Sequence, residues 1–183
     1  MKGHIAALLA SATLFSASCD EPPASIKGMP ILTIEEGSAS ANGTWKRLCN
    51  EADTGFQQSV LQFSGRATLL STQTFDAPAT NCGVTPSMVE NVSGATSLQD
   101  EPKEVTWIDD NAPVGLPDTL LASAAELNLD TALDDVSVIQ LILVIDNDAA
   151  PDLLYLSTSL DEDVTLDDAD YPNELNPEPF VRD

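Results

Sequence analysis

Carboxylates are the most abundant chemically functional side chains in this 183-residue sequence. It contains 30 Asp and Glu but only 7 Lys and Arg, which gives a formal net charge of −23. Asp146, Asp148 and Asp152 form an oxygen-rich cluster of the kind that Ca²⁺ accepts. The cluster lacks the glycine and the bidentate glutamate of an EF-hand loop. Because acidic loops usually solvate the protein surface, we predict no metal site and keep these residues only as candidates for one.

Catalytic chemistry is restricted by the composition, because the only histidine is His4. It lies in an amino-terminal segment that we predict is removed, which excludes Ser-His-Asp hydrolysis, Cys-His chemistry and His-ligated zinc. The sequence contains no P-loop, no G-x-S-x-G motif and no dinucleotide-binding fingerprint. Nucleic-acid binding is disfavoured as well, since it needs clustered Lys and Arg. We therefore predict a protein that is not an enzyme, has no catalytic residues and uses no cofactor.

Residues 1–18 have the three parts of a secretory signal peptide. A basic start with Lys2 is followed by an apolar run over 5–15 and then by small residues at 16–18. The apolar run is too short to span a bilayer, which needs about 20 residues. The alternative is a buried first helix, which the absence of a polar face disfavours.

Cys19 follows the predicted signal peptide directly and is itself followed by Asp20. The run Ser16-Ala17-Ser18-Cys19 resembles the lipobox of bacterial lipoproteins, whose cysteine carries a lipid and becomes the first residue of the mature chain. The resemblance implies a lipid on Cys19, the membrane as a partner through that lipid, and a periplasmic or cell-surface location. Asp20 resembles an inner-membrane retention signal, but the choice of membrane stays open. Ordinary signal-peptide cleavage that leaves a free Cys19 is the alternative.

The other two cysteines, Cys49 and Cys82, remain as a pair if Cys19 carries lipid. In an oxidising compartment, and without a C-x-x-C motif, such a pair favours a structural disulfide. The bridge would close a loop of about 34 residues and stabilise the fold by about 3–4 kcal/mol. We expect the two Cα atoms to lie within about 7 Å of each other.

The chain after the predicted leader divides into a linker and a strand-rich domain. Residues 19–41 are rich in Pro, Ser, Gly and acid and predict a flexible linker, with 42–183 as one domain. Short strands with hairpin spacing predict an all-β fold, a single antiparallel barrel or sandwich. We predict a polar loop over 83–102 and leave 122–133 open between helix and strand. The predicted strands cover 45–49, 59–64, 67–75, 104–108, 136–145 and 152–158.

Gly43-Thr44-Trp45 matches the G-x-W motif that opens the first strand of lipocalins. The wider frame, G-T-W-K-R-L-C, a hairpin and then F-D-A-P-A-T-N-C, is similar to a group of lipocalin-like bacterial secreted proteins. The carboxyl end, with Arg182 near its last strand, is similar to the way those chains close. The resemblance implies a lipocalin-like barrel with Arg182 stacked on Trp45 at its floor, within about 6 Å of a ring centroid. The alternative is an exposed turn beside a core tryptophan.

These features favour an exported, membrane-anchored lipoprotein whose barrel binds a small apolar ligand or acts in the cell envelope. A contiguous apolar interior of more than about 300 Å³ would favour ligand binding. A filled interior would favour a structural or interaction module. A calcium-stabilised adhesion-type domain is the third interpretation. The identity of the ligand, the protein partners and the oligomeric state stay open.

Overall fold

The computed structural model describes residues 30–32, 38–52, 55–76, 81–133 and 135–183, and its fold is all-β. The predicted signal peptide over 1–18 and the predicted lipidation site Cys19 lie outside the described residues. No helix in the described part of the chain has the length and hydropathy needed to cross a bilayer. The elements are β1 (Pro30–Leu32), β2 (Ser38–Ser40), β3 (Gly43–Lys46), β4 (Asn50–Ala52), β5 (Gly55–Ser64), β6 (Ala67–Asp76), β7 (Met88–Leu98), β8 (Lys103–Trp107), a 3₁₀ turn at Ile108–Asp110, β9 (Thr119–Leu133), β10 (Val136–Asp146), β11 (Leu153–Thr158), β12 (Glu174–Leu175) and β13 (Phe180–Arg182).

Eight antiparallel strands form a closed barrel in the order β10, β11, β13, β3, β5, β6, β7 and β9, with β9 pairing back to β10. The carboxyl-terminal strand closes the circle, because Arg182 of β13 is in register with Trp45 of β3 and Phe180 is in register with Leu154 of β11. Of the two predicted architectures, the structure therefore has the barrel. The prediction of an all-β, lipocalin-like barrel is confirmed at the level of the fold.

The β5–β6 hairpin forms where the sequence predicts it. All ten residues of each strand pair, from Gly55 with Asp76 to Ser64 with Ala67. Gly65 in the turn has a φ of 61°, a left-handed conformation that favours glycine. Its N–H donates a hydrogen bond to Oδ1 of Asn42 at 3.1 Å, which ties this turn to the start of β3.

The barrel interior is lined by alternate residues of each strand, as the period of two in a β-strand requires. On β10 the interior residues have odd numbers, whereas Ile142 and Val144 face outwards into a second apolar cluster. Because this part of β10 is covered on both faces, residues 141–145 are continuously apolar rather than alternating. The interior cluster includes Trp45, Leu61, Phe63, Leu127, Ile139, Leu141, Leu143, Leu154, Leu156 and Phe180.

The second cluster forms where β8 and β12 leave the barrel. β8 pairs with the first residues of β9, and β12 adds to β8 in parallel. Trp107 of β8 and Tyr155 of β11 meet edge to face with ring centroids 5.0 Å apart, which packs this small extension against the outer wall. The interior cluster therefore occupies the inside of the barrel, and this second cluster lies outside it.

One predicted loop contains a strand, and one segment that the sequence leaves open is assigned by the structure. The polar loop predicted over 83–102 is wrong for Met88–Leu98, which forms β7 and pairs with both β6 and β9. Its inward positions include Gly94 and Thr96, so it has no apolar period to signal a strand. A Cβ at Gly94 would lie 2.2 Å from the carbonyl oxygen of Asn128, so this close strand contact requires glycine. Residues 122–133, which the sequence leaves open, belong to strand β9.

The described part of the predicted linker over 19–41 is folded against the barrel. β1 and β2 pair as an antiparallel hairpin, and β1 contacts β9 and β10. Ile31 and Ala41 are fully buried in the interior cluster. Because Ile31 removes its apolar surface from water at the Trp45 end of the barrel, this part of the segment is a closing element and not a flexible tether.

Candidate functional site

The cysteine pair lies at the end of the barrel opposite the β5–β6 turn. Cys49 follows β3 and Cys82 follows β6, and the two are at disulfide distance with Cα atoms 5.7 Å apart. This separation agrees with the predicted limit of about 7 Å. The bridge ties the two loops that flank the β5–β6 hairpin, as the sequence predicts.

Arg182 and Trp45 meet at the other end of the barrel, which we call the floor. Cζ of Arg182 lies 4.1 Å from the centroid of the Trp45 ring, within the predicted 6 Å contact limit. Nε of Arg182 donates to Oδ2 of Asp152 at 2.9 Å, and its two Nη atoms donate to the carbonyl oxygens of Asn42 and Ser40 at 2.7 and 3.0 Å. The guanidinium thus joins β13, β3, the β10–β11 turn and the end of β2.

The candidate calcium ligands are used in contacts within the protein. Asp152 pairs with Arg182 at the floor. Oδ1 of Asp146 accepts hydrogen bonds from the backbone N–H groups of Asp148 and Ala149, which shapes the turn after β10. In the residues described, no group of three or more His, Cys, Asp or Glu side chains is arranged to hold a metal ion. The carboxylates of Asp146 and Asp152 therefore have partners within the protein.

An apolar cavity of about 240 Å³ lies inside the barrel. Its walls come from β5, β6, β7, β9, β10 and β11, so six of the eight barrel strands surround it. The polar residues that line it are Thr68, Thr158 and Asp161. The apolar residues are Leu61, Phe63, Leu70, Val92, Leu127, Leu133, Ile139, Leu141, Leu156 and Leu160.

The cavity reaches the surface at the end of the barrel that carries the disulfide. Leu133 and Leu160 line it and are 38% and 47% exposed. β7 and β9 pair only from Gly94 to Leu98, so the first half of β7 and the last residues of β9 separate at this end. We call this opening the mouth. Asp161 lies there, with Oδ2 accepting a hydrogen bond from the Thr158 N–H at 2.8 Å.

Two buried hydroxyl groups belong to the cavity side of the barrel. Oγ1 of Thr68 and Oγ1 of Thr96 are 2.6 Å apart, in a hydrogen bond whose donor can be either one. Thr68 is 4% exposed and lines the cavity, and Thr96 is 1% exposed. The sequence analysis did not find this pair, because Thr96 lies in the segment predicted as a loop. The alternation in 67–75 could have placed Thr68 on the inward face, but nothing local indicates its partner.

Arg47 is the second feature that the sequence analysis did not find. It lies two residues after Trp45, and its Cζ is 4.7 Å from the centroid of the buried Phe180 ring. Its Nε is buried and has no hydrogen-bond partner among the described residues. Burial lowers the pKa of Arg47, and the carboxylates of Asp161 and Glu178 oppose that shift. Among the described residues neither carboxylate forms an ion pair with Arg47.

Tyr171, which lies outside the barrel on the segment after β11, has a raised pKa. Burial, together with the neighbouring Glu126 that accepts the Tyr171 hydroxyl at 3.2 Å, raises the pKa of Tyr171 to about 12. Nζ of Lys103 lies 4.6 Å from the Tyr171 ring centroid and pairs with Asp167. Partial burial opposes the change, but the hydrogen bond from Lys103 holds the pKa of Asp167 below its usual value. These contacts attach the segment after β11 to β8 and to the outer side of β9.

Comparison with known proteins adds no assignment: no protein-family model, curated protein or solved structure matches the chain. The site is therefore interpreted from its own geometry. A mainly apolar cavity that has a few polar groups and opens at one end of a barrel is a space that a small apolar molecule can enter.

Proposed function

We propose that this protein is an exported, lipid-anchored β-barrel protein that binds a small apolar ligand in its interior cavity. The observation that carries the proposal is the cavity of about 240 Å³, whose walls are mainly apolar and include the exposed Leu133 and Leu160. Transfer of apolar surface from water into such a cavity is the driving force for binding. The Cys49–Cys82 pair at disulfide distance is compatible with export.

The volume of the cavity restricts the size of the ligand. At about 240 Å³ the cavity is smaller than the roughly 300 Å³ at which most ligand pockets begin. It is larger than an engineered cavity of about 150 Å³ that binds benzene. Scaling from benzene by volume gives a ligand of about ten carbon atoms.

An interaction module with a filled core is the second candidate function. The observation that favours it is the same volume, because the cavity does not reach the size expected of a typical ligand-binding barrel. In that case the cavity would be a packing defect with no occupant. The calcium-stabilised domain has less support, since Asp152 pairs with Arg182 and Asp146 caps its own turn.

Calorimetric titration with butylbenzene, an apolar molecule of the right size, tests ligand binding. The full chain carrying Cys19→Ala is used, so that no detergent competes for the cavity. We expect saturable one-to-one binding with a negative heat-capacity change, measured at two temperatures, because the ligand leaves water for an apolar site. Val92→Trp, which fills the cavity wall from β7, should abolish the binding.

Val89→Trp is the matched control, because Val89 is on the same strand, half exposed, and on the opposite face. It should bind butylbenzene as the parent protein does. Absence of binding by the parent protein, or equal binding by the Val92 and Val89 variants, contradicts ligand binding and favours the filled core.

Membrane anchoring is tested separately by phase partitioning in a detergent that separates on warming. The unaltered protein should enter the detergent phase, and Cys19→Ala should move it to the aqueous phase, because the variant has no thiol to carry a lipid. Ser18→Ala keeps a small residue before the cysteine and should stay with the detergent. If the unaltered protein remains in the aqueous phase, Cys19 carries no lipid.

A further inference from the structure

The Thr68–Thr96 pair is the only pair of buried side-chain hydroxyls in the described chain that bond to each other, and one of them lines the cavity. Each threonine hydroxyl has one proton to donate and two lone pairs. The bond between Oγ1 of Thr68 and Oγ1 of Thr96 uses one of the two protons. No acceptor for the other proton is found in the residues that the structure describes.

A buried donor without an acceptor is costly to a protein and is therefore uncommon. Either hydroxyl can donate to the other, so the free proton can be presented by Thr68 or by Thr96. Since Thr68 lines the cavity, a ligand in the cavity can supply the missing acceptor. The pair thus gives this mainly apolar cavity a position that favours an acceptor oxygen, whereas the Thr158 hydroxyl already donates to Asp161.

The charges near the mouth determine whether an anionic or an uncharged acceptor oxygen is favoured there. A carboxylate ligand would pass Asp161, whose negative charge lies at the mouth. Arg47 interacts with Asp161, but it lies at a separate pocket beside Glu178 and is not among the residues that line the cavity. The chain also carries a formal net charge of −23, which repels anions at longer range. Burial of a carboxylate in this cavity without its own counter-charge is therefore unfavourable, whereas an uncharged acceptor has no such cost.

We propose that the ligand is an uncharged molecule of about ten carbon atoms with one acceptor oxygen, a ketone, ester or ether, that accepts the free hydroxyl proton of the Thr68–Thr96 pair. This inference rests on the proposed function, since it requires that the cavity binds a ligand. It adds the polarity and charge of that ligand and the residues that recognise them.

Three probes with ten carbon atoms each separate these properties: butylbenzene has no acceptor, butyrophenone has a ketone in place of one methylene, and 4-phenylbutanoate is an anion. Titrated into the full chain carrying Cys19→Ala, butyrophenone should bind about tenfold more tightly than butylbenzene. The anion should bind more weakly than both. In the bound state the carbonyl stretching frequency of butyrophenone should be lower than in an alkane solvent, because the carbonyl accepts a hydrogen bond.

The double variant Thr68→Val, Thr96→Val removes both hydroxyls and preserves the side-chain shape. It should lose the preference for butyrophenone and keep its affinity for butylbenzene. Ser71→Ala is the matched control, since the Ser71 hydroxyl is also buried on β6 but bonds to Asn91 on the outer face. The control should keep the preference unchanged. If the double variant does not fold, the carbonyl frequency in the parent protein still decides the question.

Equal affinity for butyrophenone and butylbenzene, an unshifted carbonyl frequency, or tighter binding of 4-phenylbutanoate overturns the inference and leaves the proposed function intact. Failure of all three probes to bind overturns the proposed function itself. A preference for the ketone that persists in the folded double variant shows that another group recognises the oxygen and also overturns the inference.

Discussion

Replacement of both Cys49 and Cys82 by Ala should lower the free energy of unfolding by about 3–4 kcal/mol. The bridge joins residues 33 positions apart, so its loss gives the unfolded chain the freedom of a long loop that is closed in the native protein. Urea denaturation of the full chain carrying Cys19→Ala, with and without the two further substitutions, measures the change. Reduction of the parent protein with a thiol should give the same loss.

Leu48→Ala is the control, because Leu48 adjoins Cys49 but is exposed and packs against little. It should shift the urea midpoint by much less than the double replacement. An unchanged midpoint after removal of both cysteines, or after reduction, would mean that no bridge forms between them. Such a result would also remove the support that the cysteine pair gives to export.

Arg182→Ala should lower the free energy of unfolding by about 2–3 kcal/mol, since it removes the stacking on Trp45 and the charged hydrogen bonds at the floor. The estimate is below the sum of those contacts because Arg182 is partly exposed and its pair with Asp152 is screened by solvent. The emission of Trp45 should shift to longer wavelength as water reaches the ring. A Trp107→Phe background isolates this signal, since Trp107 is the other tryptophan.

Arg66→Ala is the matched control for the floor, because Arg66 is an exposed arginine in the β5–β6 turn. It should change neither the stability nor the emission of Trp45. Deletion of residues 179–183 should reproduce the effect of Arg182→Ala and exceed it, since the closing strand is lost as well. If Arg182→Ala leaves both the urea midpoint and the Trp45 emission unchanged, the carboxyl-terminal strand does not close the barrel.

The strands with a clear local signal were predictable because their side chains carry the pattern themselves. The hairpin around Gly65 and the apolar run over 136–145 were found for that reason. β7 was not found, because its inward face contains Gly94 and Thr96 and its strand geometry depends on pairing with β6 and β9. The segment around Ile31 was missed for a similar reason, since a single buried side chain gives no period.

The floor and the cavity also differ in how well the sequence predicts them. The floor was predictable through Trp45 and Arg182, because each lies in a short recognisable segment and the resemblance joins the two. The cavity and its hydroxyl pair were not, because Thr68 and Thr96 are ordinary residues whose proximity depends on the β6–β7 register. Arg47 differs from other basic residues only in its buried Nε, which no local pattern reveals.

The sequence alone predicts the all-β class, five of the eight barrel strands and the pairing of Cys49 with Cys82, and the lipocalin resemblance adds the contact of Arg182 with Trp45. The closure of the sheet into a barrel and the cavity of about 240 Å³ inside it are visible only in the folded protein. The physical reason is the range over which each property is set. Alternation and turn chemistry act over a few residues, whereas empty volume is the difference between the space that eight strands enclose and the side chains that fill it.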